Sequence, residues 1–195
     1  MNIPNLPTID FFNKFLTDDI ASIYLNRLSK EIEFNSETYT FNNQIITTKR
    51  KIAFHSDKSY SYSNQVYSGK PWNPVLIELK EMVENITGLE FNAVLCNHYE
   101  NGEAGMGWHA DKEKELGMNP NIASLSFGET RRFAFRHRTD VVNLKNPPRL
   151  IEYPLKSGDL LVMKGDTQKY FEHSVIKDKS CKGLRINLTF RNIIN

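Results

Sequence analysis

The stretch LRINLTFR, Leu184 to Arg191, alternates without a break: Arg185, Asn187, Thr189 and Arg191 are polar, and Leu184, Ile186, Leu188 and Phe190 are apolar. Successive side chains of a β-strand point to opposite faces, so this stretch reads as a strand with one core face and one polar face. The same period of two recurs over Phe91 to Tyr99, Ile122 to Phe127, Arg132 to His137, Leu160 to Met163 and Tyr170 to Val175. Six strands with no helix between them imply a β-rich sandwich or jelly roll.

Towards the amino terminus the period changes. Thr17-Asp18-Asp19 reads as a helix cap, and Ile20, Ile23, Tyr24, Leu28 and Ile32 follow at helical spacing. A second helix is expected from about Pro74, with Leu76, Leu79, Val83 and Ile86 inward and Gly88 closing it. Phe41-Asn42-Asn43-Gln44 reads as a hairpin. The two helices and this hairpin are expected to pack outside the β core, giving an α+β, β-rich chain. The Pro-containing stretch from Thr139 to Pro148 reads as a loop, and no repeat or domain boundary is evident. The expectation is a single domain over 1–195, with helices and a lid over about 1–88 and the β core over about 89–195.

Composition narrows the functional classes. At 195 residues, 39% hydrophobic and 11% aromatic, the chain can bury a core and is not a disordered tail. A net charge of +2 means that attraction to nucleic acid has to come from local clusters, of which Lys49-Arg50-Lys51 and Arg131 to Arg138 are the candidates. No apolar run approaches the ~18 residues of a membrane span, and the amino terminus has no leader pattern, so a soluble, intracellular protein away from membranes is expected. Cys96 and Cys181 form no Cys-x-x-Cys pair, which argues against a disulfide framework or a zinc ribbon.

His109-Ala-Asp111 can converge on one metal ion if the fold delivers a third ligand, and His173, in a later strand, is preferred to His137 in its basic strand. Two histidines and a carboxylate form the facial triad of non-heme Fe(II) oxygenases, with three positions open. The alternative for His109-Ala-Asp111 is a solvated charged loop. The polar face of 184–191 suits a dicarboxylate, because guanidinium forks pair bidentately with carboxylates. Its alternative is the solvent side of a half-exposed sheet. Asn97 and Tyr99 share one strand face and can add hydrogen bonds to the same ligand.

At these residues the sequence resembles the AlkB-type Fe(II)/2-oxoglutarate dioxygenases, which demethylate alkylated nucleic-acid bases. The likeness runs from about Arg50 to Ile194. It rests on Lys70-Pro-Trp-Asn-Pro-Val75, Asn97-His-Tyr99, His109-Ala-Asp111-Lys-Glu113, Ile122-Ala-Ser-Leu-Ser-Phe-Gly128, Gly158-Asp-Leu-Leu-Val-Met163, His173-Ser and Arg185-Ile-Asn-Leu-Thr-Phe-Arg191. The arrangement looks most similar to the branch that repairs duplex DNA. The resemblance implies a double-stranded β-helix (jelly roll) core in which His109, Asp111 and His173 hold Fe(II). It implies that Arg185 grips the distal carboxylate of 2-oxoglutarate, that Asn97, Tyr99, Asn187 and Thr189 assist, and that Arg191 sits near the carboxylate chelating the metal.

On the substrate side the resemblance implies that Tyr62 stacks on a flipped base, His109 closes the other side and Glu113 faces the exocyclic amine. Phe41 would be a wedge filling the gap in the duplex, and Lys49, Arg50, Lys51, Arg131, Arg132, Arg136 and Arg138 would meet phosphates. The implied reaction is oxidative demethylation of 1-methyladenine and 3-methylcytosine in DNA. Dioxygen and 2-oxoglutarate are its cosubstrates, and succinate and formaldehyde are released. A monomer acting on alkylated DNA, or on RNA, is expected. Two rival readings are a 2-oxoglutarate dioxygenase acting on RNA or a protein side chain, and a non-catalytic cupin-like binding module. The sequence departs from the family at His98, where arginine is usual, and at Arg50-Lys51, where a proline often stands.

Overall fold

The computed structural model describes residues 3–56, 58, 60–62, 65–67, 69–140 and 150–194, and the side chains of Phe41 and of 60–62 and 65–67 lie outside that description. In chain order the elements are β1 (Thr8–Phe12), α1 (Asp18–Glu31), β2 (Asn35–Phe41), β3 (Gln44–Ser56), β4 (Tyr60–Tyr62), β5 (Gln65–Tyr67) and α2 (Pro74–Thr87). There follow β6 (Ala93–Tyr99), β7 (Met106–His109), β8 (Ile122–Gly128), β9 (Arg131–His137), β10 (Ile151–Leu155) and β11 (Leu160–Lys164). The last are a one-turn helix α3 (Thr167–Tyr170), β12 (Phe171–Val175) and β13 (Arg185–Arg191). Tyr170 therefore ends a helical turn instead of opening the strand. Most of the loop expected over Thr139 to Pro148 lies outside the described residues.

The strands form a seven-stranded sheet in the order β1-β11-β8-β13-β6-β3-β2, a four-stranded sheet β10-β9-β12-β7 and the small pair β4-β5. Every pairing among these strands is antiparallel. The two larger sheets share a core of residues such as Ile52, Leu95, Ile122, Phe133, Phe135 and Phe171. On the other side of the seven-stranded sheet, Leu28 of α1 and Leu76, Leu79 and Val83 of α2 pack with Val94, Leu125, Leu188 and Phe190. This is the jelly-roll arrangement with helices outside it. Every residue of β13 is buried, so its polar face is no solvent face: it looks into the space between the sheets.

Three features differ from the sequence reading, each for a packing reason. The hairpin does form, with Asn42 and Asn43 at φ 49° and 59°, as a tight two-residue hairpin turn requires. Its tip lies outside the core, but β3 continues into the sheet, where it pairs with β6 from Arg50 to Ser56 and thereby covers what would be an open sheet edge. Helix α1 buries Ala21, Tyr24 and Leu28, while Ile20 and Ile23 are exposed. Ala21 is turned inward where α1 meets the β10–β11 turn so closely that a Cβ on Gly158 would lie 2.3 Å from the Leu16 carbonyl oxygen and 3.5 Å from the Ala21 Cβ. Helix α2 is capped by the Asn73 side chain, which accepts from the Val75 amide at 2.9 Å, and is closed by Gly88 at φ 67°. Ile86, expected inward, is exposed beyond the buried stripe of Val75, Leu76, Leu79 and Val83.

Candidate metal and dicarboxylate site

His109 and His173 are cross-strand partners in the β7–β12 pairing, and their ring centroids lie 4.2 Å apart. Asp111 lies two residues past the end of β7, so strand alternation is not what brings it in. Instead Gln168, in α3, accepts a hydrogen bond from the Asp111 amide at 2.9 Å. Ligand atoms of His109, Asp111 and His173 all lie within 4.8 Å of one another, and these three are the one such group among the described residues. The His109 Nδ1 lies 2.8 Å from the Gly107 carbonyl oxygen, which can only accept. The proton is therefore on Nδ1, and Nε2 keeps its lone pair for a metal.

Asp111 is completely buried. Its Oδ1 accepts from Arg191 Nη2 at 3.1 Å, while Oδ2 has no hydrogen-bond partner among the described residues and faces His173 Nε2 at 3.8 Å. Burial pushes the Asp111 carboxyl up, but the charges of Arg191, His173 and His109 outweigh it and hold the group down at about 2. Burial, then the neighbouring His109, lowers His173 to about 3. Both ligands are thus in their metal-binding forms at neutral pH.

The floor of the cavity is the polar face of β13 with its neighbours. Arg185 stands opposite Tyr99, and Asn187 stands opposite Asn97. Asn187 Nδ2 donates to Ser124 Oγ at 2.9 Å and to the Leu125 carbonyl at 3.0 Å, and Thr189 Oγ1 donates to Asn187 Oδ1 at 3.2 Å. Asn97, Tyr99, Ser124, Asn187 and Thr189 line one space with His109, His173, Met106, Phe133 and Met163, about 420 Å³ with its opening to solvent included. Arg185 is 1% exposed and donates from Nη2 to Ser126 Oγ at 3.0 Å, yet among the described residues its Nε and Nη1 have no hydrogen-bond partner. Burial lowers it to about 10, and its Cζ lies 5.3 Å from the Tyr99 ring centroid. A buried cation with two idle donors is costly until an anion arrives, so the donor set fits a carboxylate.

A sequence model of the family described as the 2OG-Fe(II) oxygenase superfamily matches residues 8–191. The chain belongs to the 2OG-Fe(II) oxygenase superfamily. It is 35% identical over 184 residues to "Alpha-ketoglutarate-dependent dioxygenase alkB homolog 3" of Bos taurus, covering 89% of this chain and 62% of that one. It is 40% identical over 150 residues to "DNA oxidative demethylase ALKBH2" of Homo sapiens, covering 74% of this chain and 57% of that one. It thus spans less than two thirds of the length of both relatives. A solved structure, OsALKBH1, superposes with a TM-score of 0.65 at 19% identity, covering 96% of this chain and 97% of that chain, which shows a shared fold.

The chain places several of its basic residues differently from the expected phosphate contacts. Arg50 turns into the cavity, where it donates to Asn97 Oδ1 at 2.8 Å and pairs with Glu37. Arg131 is 2% exposed and donates to the carbonyls of Asn101, Ala104 and Ile176 at 3.2, 2.8 and 2.7 Å. Arg138 is buried against Asp140 and the Gln168 and Lys169 carbonyls. In β9 the odd positions Arg131, Phe133 and Phe135 face the core, so Arg131 had to point inward. Lys49, Lys51 and Arg132 keep substantial exposure beside Glu103, Glu100 and Glu152 respectively. Glu113 is half-buried and begins the 3-10 turn Lys114–Leu116. The backbones of Tyr62 and Phe41 end β4 and β2, but the stacking and wedge roles need side chains outside the described residues.

Residues of the site that the sequence reading does not anticipate include Gln168, Met106, Phe133, Met163, Ser124 and Ser126. The serines had a legible signal, since Ser124 and Ser126 alternate with apolar residues in the strand beside β13. Gln168 had none, because only the chain's turn through α3 brings it to Asp111. His98 lies against Phe34, with ring centroids 5.0 Å apart, and is not among the cavity residues. Among the described residues no helix is long and apolar enough to cross a membrane.

Proposed function

We propose that this chain is an Fe(II)/2-oxoglutarate dioxygenase that removes N-methyl groups from 1-methyladenine and 3-methylcytosine in DNA. The observation that carries the reading is the convergence of His109, Asp111 and His173 beside a cavity floored by Asn97, Tyr99, Asn187, Thr189 and Arg191, the last three in the strand that also carries buried Arg185. In this reading His109, Asp111 and His173 hold Fe(II), and three protein ligands leave room for a bidentate cosubstrate and dioxygen. Bound iron, with 2-oxoglutarate and dioxygen, supplies the oxidant that hydroxylates the methyl group, and the resulting hydroxymethyl base releases formaldehyde.

The chain's own groups do the positioning. Arg185 binds the remote carboxylate with its idle donors, while Asn97, Tyr99, Asn187 and Thr189 shape the floor. Arg191 holds Asp111 through Oδ1, leaving Oδ2 to face the metal. Methylation at these ring positions makes the base cationic and weakens its pairing, so extruding it costs less. Tyr62 stacks on the extruded base, Glu113 offsets its charge, Phe41 fills the gap and Lys49, Lys51 and Arg132 meet phosphates. The relatives' names, a dioxygenase and a DNA oxidative demethylase, support a nucleic-acid substrate. The chain acts as one catalytic domain and as a monomer inside the cell.

The test is succinate and formaldehyde release from anaerobically iron-loaded protein given 2-oxoglutarate, air and single-stranded or duplex oligonucleotides carrying either lesion. Turnover is expected that vanishes in Asp111→Ala, and the duplex share should fall in Phe41→Ala. Succinate without base repair would overturn the substrate and point to RNA or a protein side chain. Iron-loaded protein that forms no succinate with any substrate would overturn the enzyme reading in favour of a binding module.

A further inference from the structure

We propose that Arg136 is a positioning residue for both histidine ligands, acting from the outer face of the four-stranded sheet through Trp108 and Glu172. The inference rests on the metal centre argued above. Strand β7, which ends in His109, is an edge strand of four residues. Its pairing with β12 consists of His173 with His109 and Val175 with Met106, and the register shifts between them. Gly107 and Trp108 therefore stand opposite Ser174 alone, a β-bulge that interrupts the ladder immediately before the ligand.

Arg136 lies on β9, the other neighbour of β12, directly opposite Glu172. Its Nε and Nη2 donate to Glu172 Oε2 at 2.9 and 2.8 Å, and its Cζ lies 4.4 Å from the Trp108 ring centroid. The guanidinium thus reaches across β12 from β9 to β7. Glu172 immediately precedes His173 and Trp108 immediately precedes His109, so one side chain holds the residue before each histidine ligand. A roll of β7 about its own axis would turn His109 away from His173, and the same roll would pull Trp108 off the guanidinium.

Without this contact β7 keeps its short ladder and the bond from Ser174 Oγ to the Met106 carbonyl at 2.6 Å. Ion pairs as exposed as Arg136 with Glu172 add little to global stability. Edge elements with few hydrogen bonds open locally at small cost, however, so the effect falls on ligand geometry. Arg136 is accordingly assigned to the scaffold of the metal centre and not to a phosphate contact.

The experiment titrates metal-free protein with Co2+ under anaerobic conditions, following visible absorption, beside thermal melts without metal. Arg136→Ala and Trp108→Ala are each expected to weaken Co2+ binding about tenfold and to alter the absorption bands. Metal-free Tm should stay within about 2 °C of the parent. Trp108→Phe, which keeps a ring under the guanidinium, should recover most of the affinity. Unchanged Co2+ affinity and spectra in both alanine variants would overturn the inference, as would losses that track a falling Tm and are not recovered by Trp108→Phe. If the parent itself fails to bind Co2+ while remaining folded, the metal-centre reading fails and takes the inference with it.

Discussion

Replacing Asp111 by asparagine in the metal-free chain should destabilise it, although metal-ligand clusters commonly hold strain whose relief is stabilising. Asp111 is fully buried and Arg191 is 3% exposed, with Oδ1 and Nη2 3.1 Å apart. Against the upward push of burial, Arg191 and the two histidines draw the carboxyl from 3.8 to about 2. The charge of Arg191, which persists where both histidines are neutral, therefore stabilises the folded carboxylate. Because the folded-state pKa is the lower one, that contribution is complete above the unfolded value of 3.8 and is lost as pH falls through about 2. Breaking a buried pair costs about 3–5 kcal/mol, and the amide oxygen can still accept from Arg191, so the expected loss for Asp111→Asn is about 2–4 kcal/mol. Guanidinium unfolding with a chelator present should show a midpoint lower by about 0.5–1 M at unchanged slope. The difference should be the same at pH 8 and pH 5. A variant as stable as the parent, or a difference that shrinks over that range, would refute the reasoning.

Two further expectations follow from single side chains. Arg185→Met should raise KM for 2-oxoglutarate about 100-fold, the equivalent of about 3 kcal/mol of charged hydrogen bonding, and leave Co2+ affinity unchanged; an unaltered KM would remove Arg185 from the cosubstrate site. His55 is buried with Nδ1 2.6 Å from the Pro71 carbonyl, and burial above all lowers its pKa below 6.5. As pH falls through 6.5 the unfolded chain takes a proton that folded His55 refuses, so stability drops, and His55→Gln should flatten the fall in Tm between pH 7.5 and 5.5; equal slopes would place that proton elsewhere.

The floor was legible because strand parity is a strong constraint: a one-residue slip in β13 would have put every polar side chain into the helix-facing core, whereas Asp111 joins the histidines from beyond the end of β7. The same parity, applied to Arg131-Arg-Phe-Ala-Phe-Arg136, would have turned Arg131 inward with Phe133 and Phe135, but reading the segment as a basic cluster hid it. A run of three cations such as Lys49-Arg50-Lys51 likewise carries no information about which one faces a cavity, as Arg50 does. In α1 two stripes overlap on the helix, one through Ile20 and Ile23 and one through Ala21. The choice between them was made by the close approach of Gly158, a contact 137 positions away from Ala21 that helical periodicity alone does not encode. Gln168 belongs to the same class, meeting Asp111 only through tertiary folding.

Strand β3 has two different mechanical lives along its length. From Arg50 to Ser56 it is bonded to both the sheet and its hairpin partner or a neighbouring segment, whereas Gln44 to Thr47 are bonded to β2 alone. A two-stranded ribbon is marginally stable by itself, while a strand inside a seven-stranded sheet is not. The hairpin is therefore a pliant finger on a stiff knuckle, and the knuckle is Arg50, whose guanidinium rests on Asn97. Whatever bends the tip need not disturb the cavity floor, because the half of the strand that carries Arg50 is held in register by β6.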